Sequence, residues 1–183
     1  NAGGRRFWNE AQGYSEAAQA VLAQPGGVAV AVFDDRIAGI ARQFADFRAA
    51  EAQGAVRRAD TVEDLARAFG LPEAALAETL AEAEAARASG QPDGFGRRFG
   101  DVPELSPPYC GVRVTGALFH TQGGLEITPE GHAVRQDGTA VANLFAAGGA
   151  AVGVSGSGDA GYLSGNGLLS AVVMGRIAGR QPL

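Results

Sequence analysis

Glycine stands at positions 148, 149, 153, 156, 158, 161, 165 and 167. Each glycine inside a helix or strand costs roughly 0.5–1 kcal/mol relative to alanine, so this density argues against a regular element across the stretch. It suits a backbone that comes close to something or takes positive φ repeatedly. On one side, Leu144 to Ala147 reads as a small apolar strand. On the other, Gly167 to Ile177 reads as a helix with Leu168, Leu169, Val172, Val173 and Ile177 available for burial. A strand, a glycine loop and a helix N-terminus form an anion- or dipole-binding arrangement. A connecting loop with no ligand is the plainer alternative, and composition leaves it open.

Within this stretch Gly156-Ser157-Gly158-Asp159-Ala160-Gly161 satisfies G-x-G-x-x-G. The dinucleotide fingerprint also needs a helix starting inside the motif, then a second strand ending in an acid about 20 residues on. Here Gly165 and Gly167 intervene before the helix, and the sequence reaches Leu183 with no such strand or acid. The match is therefore rejected as a Rossmann fingerprint.

The remaining constraints are compositional. With 183 residues, 46% hydrophobic and 19% charged, the chain has material for a packed core. A net charge of −5 argues against nucleic acid or an anionic membrane as partner. All 15 basic residues are Arg, which excludes a Schiff-base or phosphate-loop lysine in these residues. A lone Cys110 excludes an internal disulfide framework and a multi-cysteine zinc site, and two His are too few for a histidine-rich metal centre. No apolar run reaches the ~18 to 20 residues that span a bilayer, and no signal peptide opens the sequence, so a cytoplasmic protein is expected. The Asn1-Ala2 start lacks an initiator Met and reads as part of something larger.

Up to Gly90 the patterns are mainly helical. Ser15 can cap a short helix through Leu22, stopped by Pro25-Gly26-Gly27. Val28 to Phe33 reads as a buried strand, and Ile37, Ile40, Ala41, Phe44 and Phe47 as one helical stripe. Thr61 opens a helix with Asp64 in a capping-box-like place, ended by Gly70; Pro72 sits in the first turn of another, ended by Gly90. The glycines and prolines of 89–108 read as a connection between two structural units. Beyond it come short strands: Val112 and Val114, then a hairpin of Leu125–Ile127 with His132–Val134 across a four-residue turn. Asp137-Gly138 reads as a second tight turn.

Several segments resemble, in order, those of the fumarate reductase/succinate dehydrogenase-like flavoproteins, relatives of flavocytochrome c, tricarballylate dehydrogenase and 3-ketosteroid dehydrogenase. Gly4-Arg5-Arg6-Phe7-Trp8-Asn9-Glu10 resembles their Gly-x-Arg-Phe-x-Asn-Glu segment, and Pro107-Pro108-Tyr109 their Pro-Pro-Phe/Tyr. Phe119-His120-Thr121-Gln122-Gly123-Gly124-Leu125 is similar to their His-Thr-x-Gly-Gly segment. Leu144-Phe145-Ala146-Ala147-Gly148 matches a Leu-Tyr/Phe-Ala-Ala-Gly strand. Gly165-Asn166-Gly167-Leu168, followed by Gly175-Arg176-Ile177-Ala178-Gly179, is similar to their final glycine turn and helix.

The resemblance implies an α+β chain. Residues 1–118 would be a helix-rich capping domain that closes over substrate. Residues 119–183 would be the C-terminal hairpin, strand and helix of a Rossmann-like FAD domain whose N-terminal βαβ part is missing here. It implies FAD in the full-length protein, not held by these residues alone, against Gly123, Gly124, Gly148, Gly149, Gly165, Asn166, Gly167 and Leu168. It implies hydride transfer at a C–C bond beside a carbonyl or carboxylate, in a bacterial oxidoreductase.

The catalytic candidates are His120, Tyr162 and Tyr14. Tyr14 and Tyr162 stand where fumarate reductases carry arginines, and Gly149 where the family carries a Glu. A dicarboxylate needs fixed cationic partners, which tyrosine cannot supply. A phenol can donate to an enolate-like oxygen, so a neutral carbonyl substrate is expected instead of fumarate. The alternative is a non-catalytic module that kept the fold and lost the chemistry. His132 is expected at the surface, Cys110 as a buried filler, and Arg176 as a last-turn helix cation.

Overall fold

The computed structural model describes residues 1–118, 122–156, 158 and 161–181. The architecture is α+β, in two compact units, Asn1–Gly116 and Ala117–Leu183.

Unit 1 begins with an irregular segment and α1, Tyr14–Leu22. Gly13, not Ser15, is its N-cap; Ser15 falls inside the first turn, where Glu16 supplies the favourable negative charge. β1, Val28–Asp34, follows its apolar run and ends on Asp34, whose buried carboxylate accepts from the Ile37 amide at 3.0 Å. That cap starts α2, Asp35–Ala41. The single stripe expected from Ile37 to Phe47 is two helices, α2 and α3, Ala45–Ala52. Arg42 lies at the break and binds Glu51 and Asp35 at 2.7 and 3.0 Å. These ion pairs hold the corner that one helix could not form.

A short strand absent from the sequence reading follows: β2, Val56–Ala59, with two arginines and only Val56 buried. Thr61 then caps α4, Val62–Phe69, its Oγ1 accepting from the Asp64 amide at 3.1 Å and donating to the Asp64 carboxylate at 2.7 Å. Gly70 ends α4 at φ 69°, the left-handed stop that favours glycine. α5, Glu73–Ser89, starts after Pro72, which occupies the N-cap and not the first turn. The last strand, β3, Tyr109–Thr115, pairs antiparallel with β1 and β2, giving the order β1-β3-β2. One face packs Ala38, Val56 and Cys110 against Phe33, Phe47 and Val112. Cys110 is a fully buried filler whose thiol pKa is pushed up by burial. On the opposite face Gly111 lies beneath Phe69; a Cβ there would sit 2.5 Å from the ring.

The 89–108 stretch joins no units. It lies inside unit 1 and folds back on the N-terminal segment. Arg6 binds Asp93 at 2.6 Å and forks onto Glu10 at 2.8 and 2.7 Å. Arg97 reaches Glu10 at 2.7 Å, and the Asn9 amide donates to the Phe95 carbonyl at 3.3 Å. The Arg6 guanidinium lies 5.3 and 5.7 Å from the Phe95 and Phe99 ring centroids, and Arg97 lies 4.4 Å over Phe99. Burial works to raise the Asp93 and Glu10 carboxyls. Arg6 hydrogen bonds and the other donors outweigh it, and both pKa values fall below the usual carboxylate range.

In unit 2, β4, His132–Val134, pairs with β5, Ala140–Phe145, around the Asp137-Gly138 turn. The hairpin expected across 128–131 is reduced to a single antiparallel bridge, Ile127 to Ala133, because Leu125 pairs in parallel with Ala151 instead. His132 is not a surface residue: it is half-buried, its ring 4.4 Å from Phe145, with Nδ1 buried and unpaired. α6, Asn166–Ala178, carries Arg176 in its last turn. Its Leu168, Leu169, Val172 and Val173 are exposed, Leu168 at 79%. Among the described residues no helix is long and apolar enough to cross a membrane, and no side-chain cluster could hold a metal ion.

Candidate functional site

The glycine stretch of unit 2 encloses a cavity of about 440 Å³. β5 runs into it through Ala146 and Ala147, and Gly148–Ala150 makes one turn of 3₁₀-helix. Gly148 takes φ 56° and lies under Ala171, so the loop lies directly against α6; a Cβ there would be 3.0 Å from that methyl. Gly124 faces the Ala151 backbone so closely that no side chain fits. The Leu125 amide donates to Ala150, and Val152 donates to Leu125, at 2.9 and 3.0 Å.

The far wall is the start of α6. Gly165 caps it at φ 80°. The buried Asn166 side chain donates to Ser155 Oγ at 2.8 Å and to the Leu163 carbonyl at 2.6 Å, which pins the turn to the loop. The Leu169 amide bonds back to Gly165 at 3.0 Å. Among the described residues the Gly167 and Leu168 amides, second and third in the helix, have no backbone acceptor. Beyond Gly149, Gly165 and Gly167 there is open space. Among the described residues the same cavity holds one bare acceptor: Gln122 Oε1 is buried and has no hydrogen-bond partner. The same oxygen occupies the place a Cβ on Gly153 would take, so Gly153 is what admits it. The cavity thus offers two N–H donors without a backbone acceptor at the positive end of a helix and one unpaired carbonyl acceptor.

Of the residues singled out in the sequence, Gly148, Gly149, Gly165, Asn166, Gly167, Leu168 and Tyr162 line this one cavity. Gly123 and Gly124 lead into it along the chain without lining it. Tyr162 is half-buried. Tyr14 belongs to unit 1, where it opens α1 and is 70% exposed. His120 lies outside the described residues. Sequence reasoning gave no site role to Gln122, Gly153 or Ser155. Gln122 occupied a variable place between His-Thr and Gly-Gly, and its role depends on a glycine 31 positions away. At the two ends of the rejected G-x-G-x-x-G stretch the Gly156 amide donates to the Gly161 carbonyl at 2.8 Å.

A strand, a glycine turn and a helix end give the cavity a largely backbone lining whose chemistry could receive a polar or anionic group. The chain belongs to the FAD binding domain family, whose model matches residues 1–168. It is 34% identical to a probable fumarate reductase of Shewanella frigidimarina, over 98% of this chain and 29% of that protein. It is 29% identical to a 3-oxosteroid 1-dehydrogenase of Mycobacterium tuberculosis, over 81% of this chain and 32% of that protein. A solved flavocytochrome c3 fumarate reductase in its open conformation superposes with a TM-score of 0.73 at 32% identity, covering 98% of this chain and 31% of that one. The chain thus spans about a third of the length of these relatives.

The residues present fit part of FAD. The pyrimidine end of a flavin carries carbonyl oxygens and a ring N–H, the complements of the two bare amides and of Gln122 Oε1.

Proposed function

We propose that the intact protein is an FAD-dependent oxidoreductase acting on a C–C bond beside a carbonyl or carboxylate, and that the unit 2 cavity receives the flavin ring. The observation that carries this is the pairing of the bare Gly167 and Leu168 amides with the unpaired Gln122 oxygen across glycines whose missing side chains leave the space open. Bound FAD would accept or return the hydride. The chain's own part is to hold the ring and stabilise charge at its pyrimidine edge. Residues 1–118 are proposed as the substrate-closing cap, and 119–183 as the C-terminal part of the FAD domain, completed by a segment of the same polypeptide.

Tyr162 at the cavity is proposed to donate a hydrogen bond to the substrate's carbonyl oxygen, holding negative charge as it develops there. His120 and Tyr14 are the further substrate-contacting candidates. With tyrosine at 14 and 162, a neutral conjugated ketone suits the site better than a dicarboxylate, which needs guanidinium forks.

The test uses the intact protein. Gly167→Val pushes bulk into the cavity and should weaken FAD binding. Helix-end stabilisation is worth ~0.3 to 2 kcal/mol. Its loss from the reduced flavin lowers the two-electron potential by roughly 5 to 45 mV. Wild-type affinity and potential in that variant would place the flavin elsewhere. Reduced enzyme should be reoxidised by a neutral cyclic enone and not by fumarate, and Tyr162→Phe should slow that step about 10²-fold or more. Efficient turnover of fumarate would overturn the substrate assignment while leaving the cofactor site standing.

A further inference from the structure

A cavity of about 720 Å³ in unit 1 lies along β1. It is lined by Ala29 and Ala31 as well as by Val30 and Val32. In the β1–β3 register Val30 stands opposite Arg113 and Val32 opposite Gly111, so both share the face on which Phe69 lies. Ala31 stands opposite Val112, and Phe33 opposite Cys110, on the face of the Cys110 core. A cavity lined by four consecutive residues of a strand, of both parities, does not lie on one face of the sheet. It wraps the strand around the edge that β3 does not occupy. Among the described residues β1 pairs with β3 only.

The exposed edge is seven residues long, Val-Ala-Val-Ala-Val-Phe-Asp, and carries no charge before its final Asp34. Folded proteins blunt such an edge with Lys, Pro or a bulge, or cover it. None of the first three devices is present in Val28–Asp34. The groove beside it is walled by apolar side chains, Phe7 and Leu80 among them. Its shape matches an extended segment that adds main-chain hydrogen bonds to β1 and buries alternate side chains on either face.

We propose that β1 is an internal strand in the intact protein, and that its free edge is occupied by a further β-strand of the same polypeptide contributed from outside these 183 residues. Two observations favour the same chain over a second copy. The relatives at 34% and 29% identity are about three times as long as the matched region, which leaves ample sequence for such a strand. Asn1 lines the same groove, so residues preceding it in a longer polypeptide would start within reach. The sheet would then have four strands or more, with β1 and β3 both interior. This inference is independent of the flavin reading.

Residue-resolved hydrogen exchange on the intact protein tests it. In a strand paired on one edge only, every second amide faces away from its partner and exchanges readily. The expected result is protection of all amides from Ala29 to Asp34, with outward and inward amides alike slowed by more than about 100-fold. Unprotected alternate amides would show a free edge and overturn the proposal. The measurement is repeated after 100-fold dilution, with sedimentation at both concentrations. Unchanged protection in a monomer supports an occupant from the same chain. Protection that disappears as a dimer dissociates assigns the edge to a second copy and refutes it.

Discussion

Asp93 is the residue whose loss should do most damage per atom removed. Its carboxylate is 7% exposed and accepts from the Phe95 and Arg97 amides at 2.8 and 2.9 Å, besides Arg6 at 2.6 Å. Hydrogen bonds to a charged group contribute about 1.5–3 kcal/mol each, and neighbours in one network do not add in full. Asp93→Ala removes all three acceptances but leaves Arg6 forked onto Glu10. The expected loss is therefore at the low end for a broken buried pair, about 3 kcal/mol. Asp93→Asn retains an oxygen for the two amides and loses only the ion pair, so about 1–2 kcal/mol is expected. In urea, with slopes of roughly 1–3 kcal/mol/M, the alanine variant should unfold about 1–3 M earlier at unchanged slope. Repeating the titration at lower pH isolates the charge. Because the Asp93 and Glu10 pKa values are lowered on folding, their stabilisation is complete above the usual carboxylate range near pH 4 and disappears as pH falls through the folded values. The gap between wild type and Asp93→Asn should close over that same interval. Equal stabilities for the three proteins at pH 7 would reduce the clasp to a solvated ion pair and refute the reasoning.

Gly111→Ala should cost about 1–3 kcal/mol by forcing Phe69 out of its seat, and Phe69→Leu should recover part of it, read by thermal unfolding of the double variant. Thr61→Ala removes the cap of α4 and should cost about 1 kcal/mol, whereas Thr61→Ser should be nearly silent in the same assay. Leu65→Ala, at a fully buried position, should cost about 2–5 kcal/mol in denaturant unfolding. Gly153→Ala displaces the Gln122 amide and should weaken FAD binding to the intact protein with little change in its melting temperature, measured by flavin fluorescence.

What the sequence made legible was local. Thr61, Gly70 and Gly90 act within three residues of themselves, and the elements they bound lie where the pattern put them. Ser15 misled because Gly13 could start the helix without it. The break between α2 and α3 was hidden because the apolar stripe continues through it; Arg42 reaching Glu51 and Asp35 decides the corner, and nothing in the periodicity carries that. β2 was missed because two of its four residues are arginines and its pairing with β3, from Val56–Val112 to Ala59–Tyr109, spans fifty positions or more. The glycine cavity was readable as a position in the chain, since glycine density marks where side chains are excluded. Its one bare acceptor was not, because Gln122 is defined by Gly153 and by the loop between them.

The central place of β3 has a consequence for the order in which the chain is made. β1 and β2 both pair with β3 and neither pairs with the other. A ribosome that has released Asp34 must add roughly 75 residues before Tyr109 follows, about 4–15 s at elongation rates of about 5–20 residues per second. Throughout that interval the Val-Ala-Val-Ala-Val-Phe segment has been synthesised and β3, its partner among the described residues, has not. The helices α2 to α5 can form meanwhile from local contacts, but the β1 edge that β3 is to cover remains available to holdase chaperones or to neighbouring nascent chains. Slow codons placed between β1 and β3 should lower the soluble yield, and slow codons after Thr115 should not.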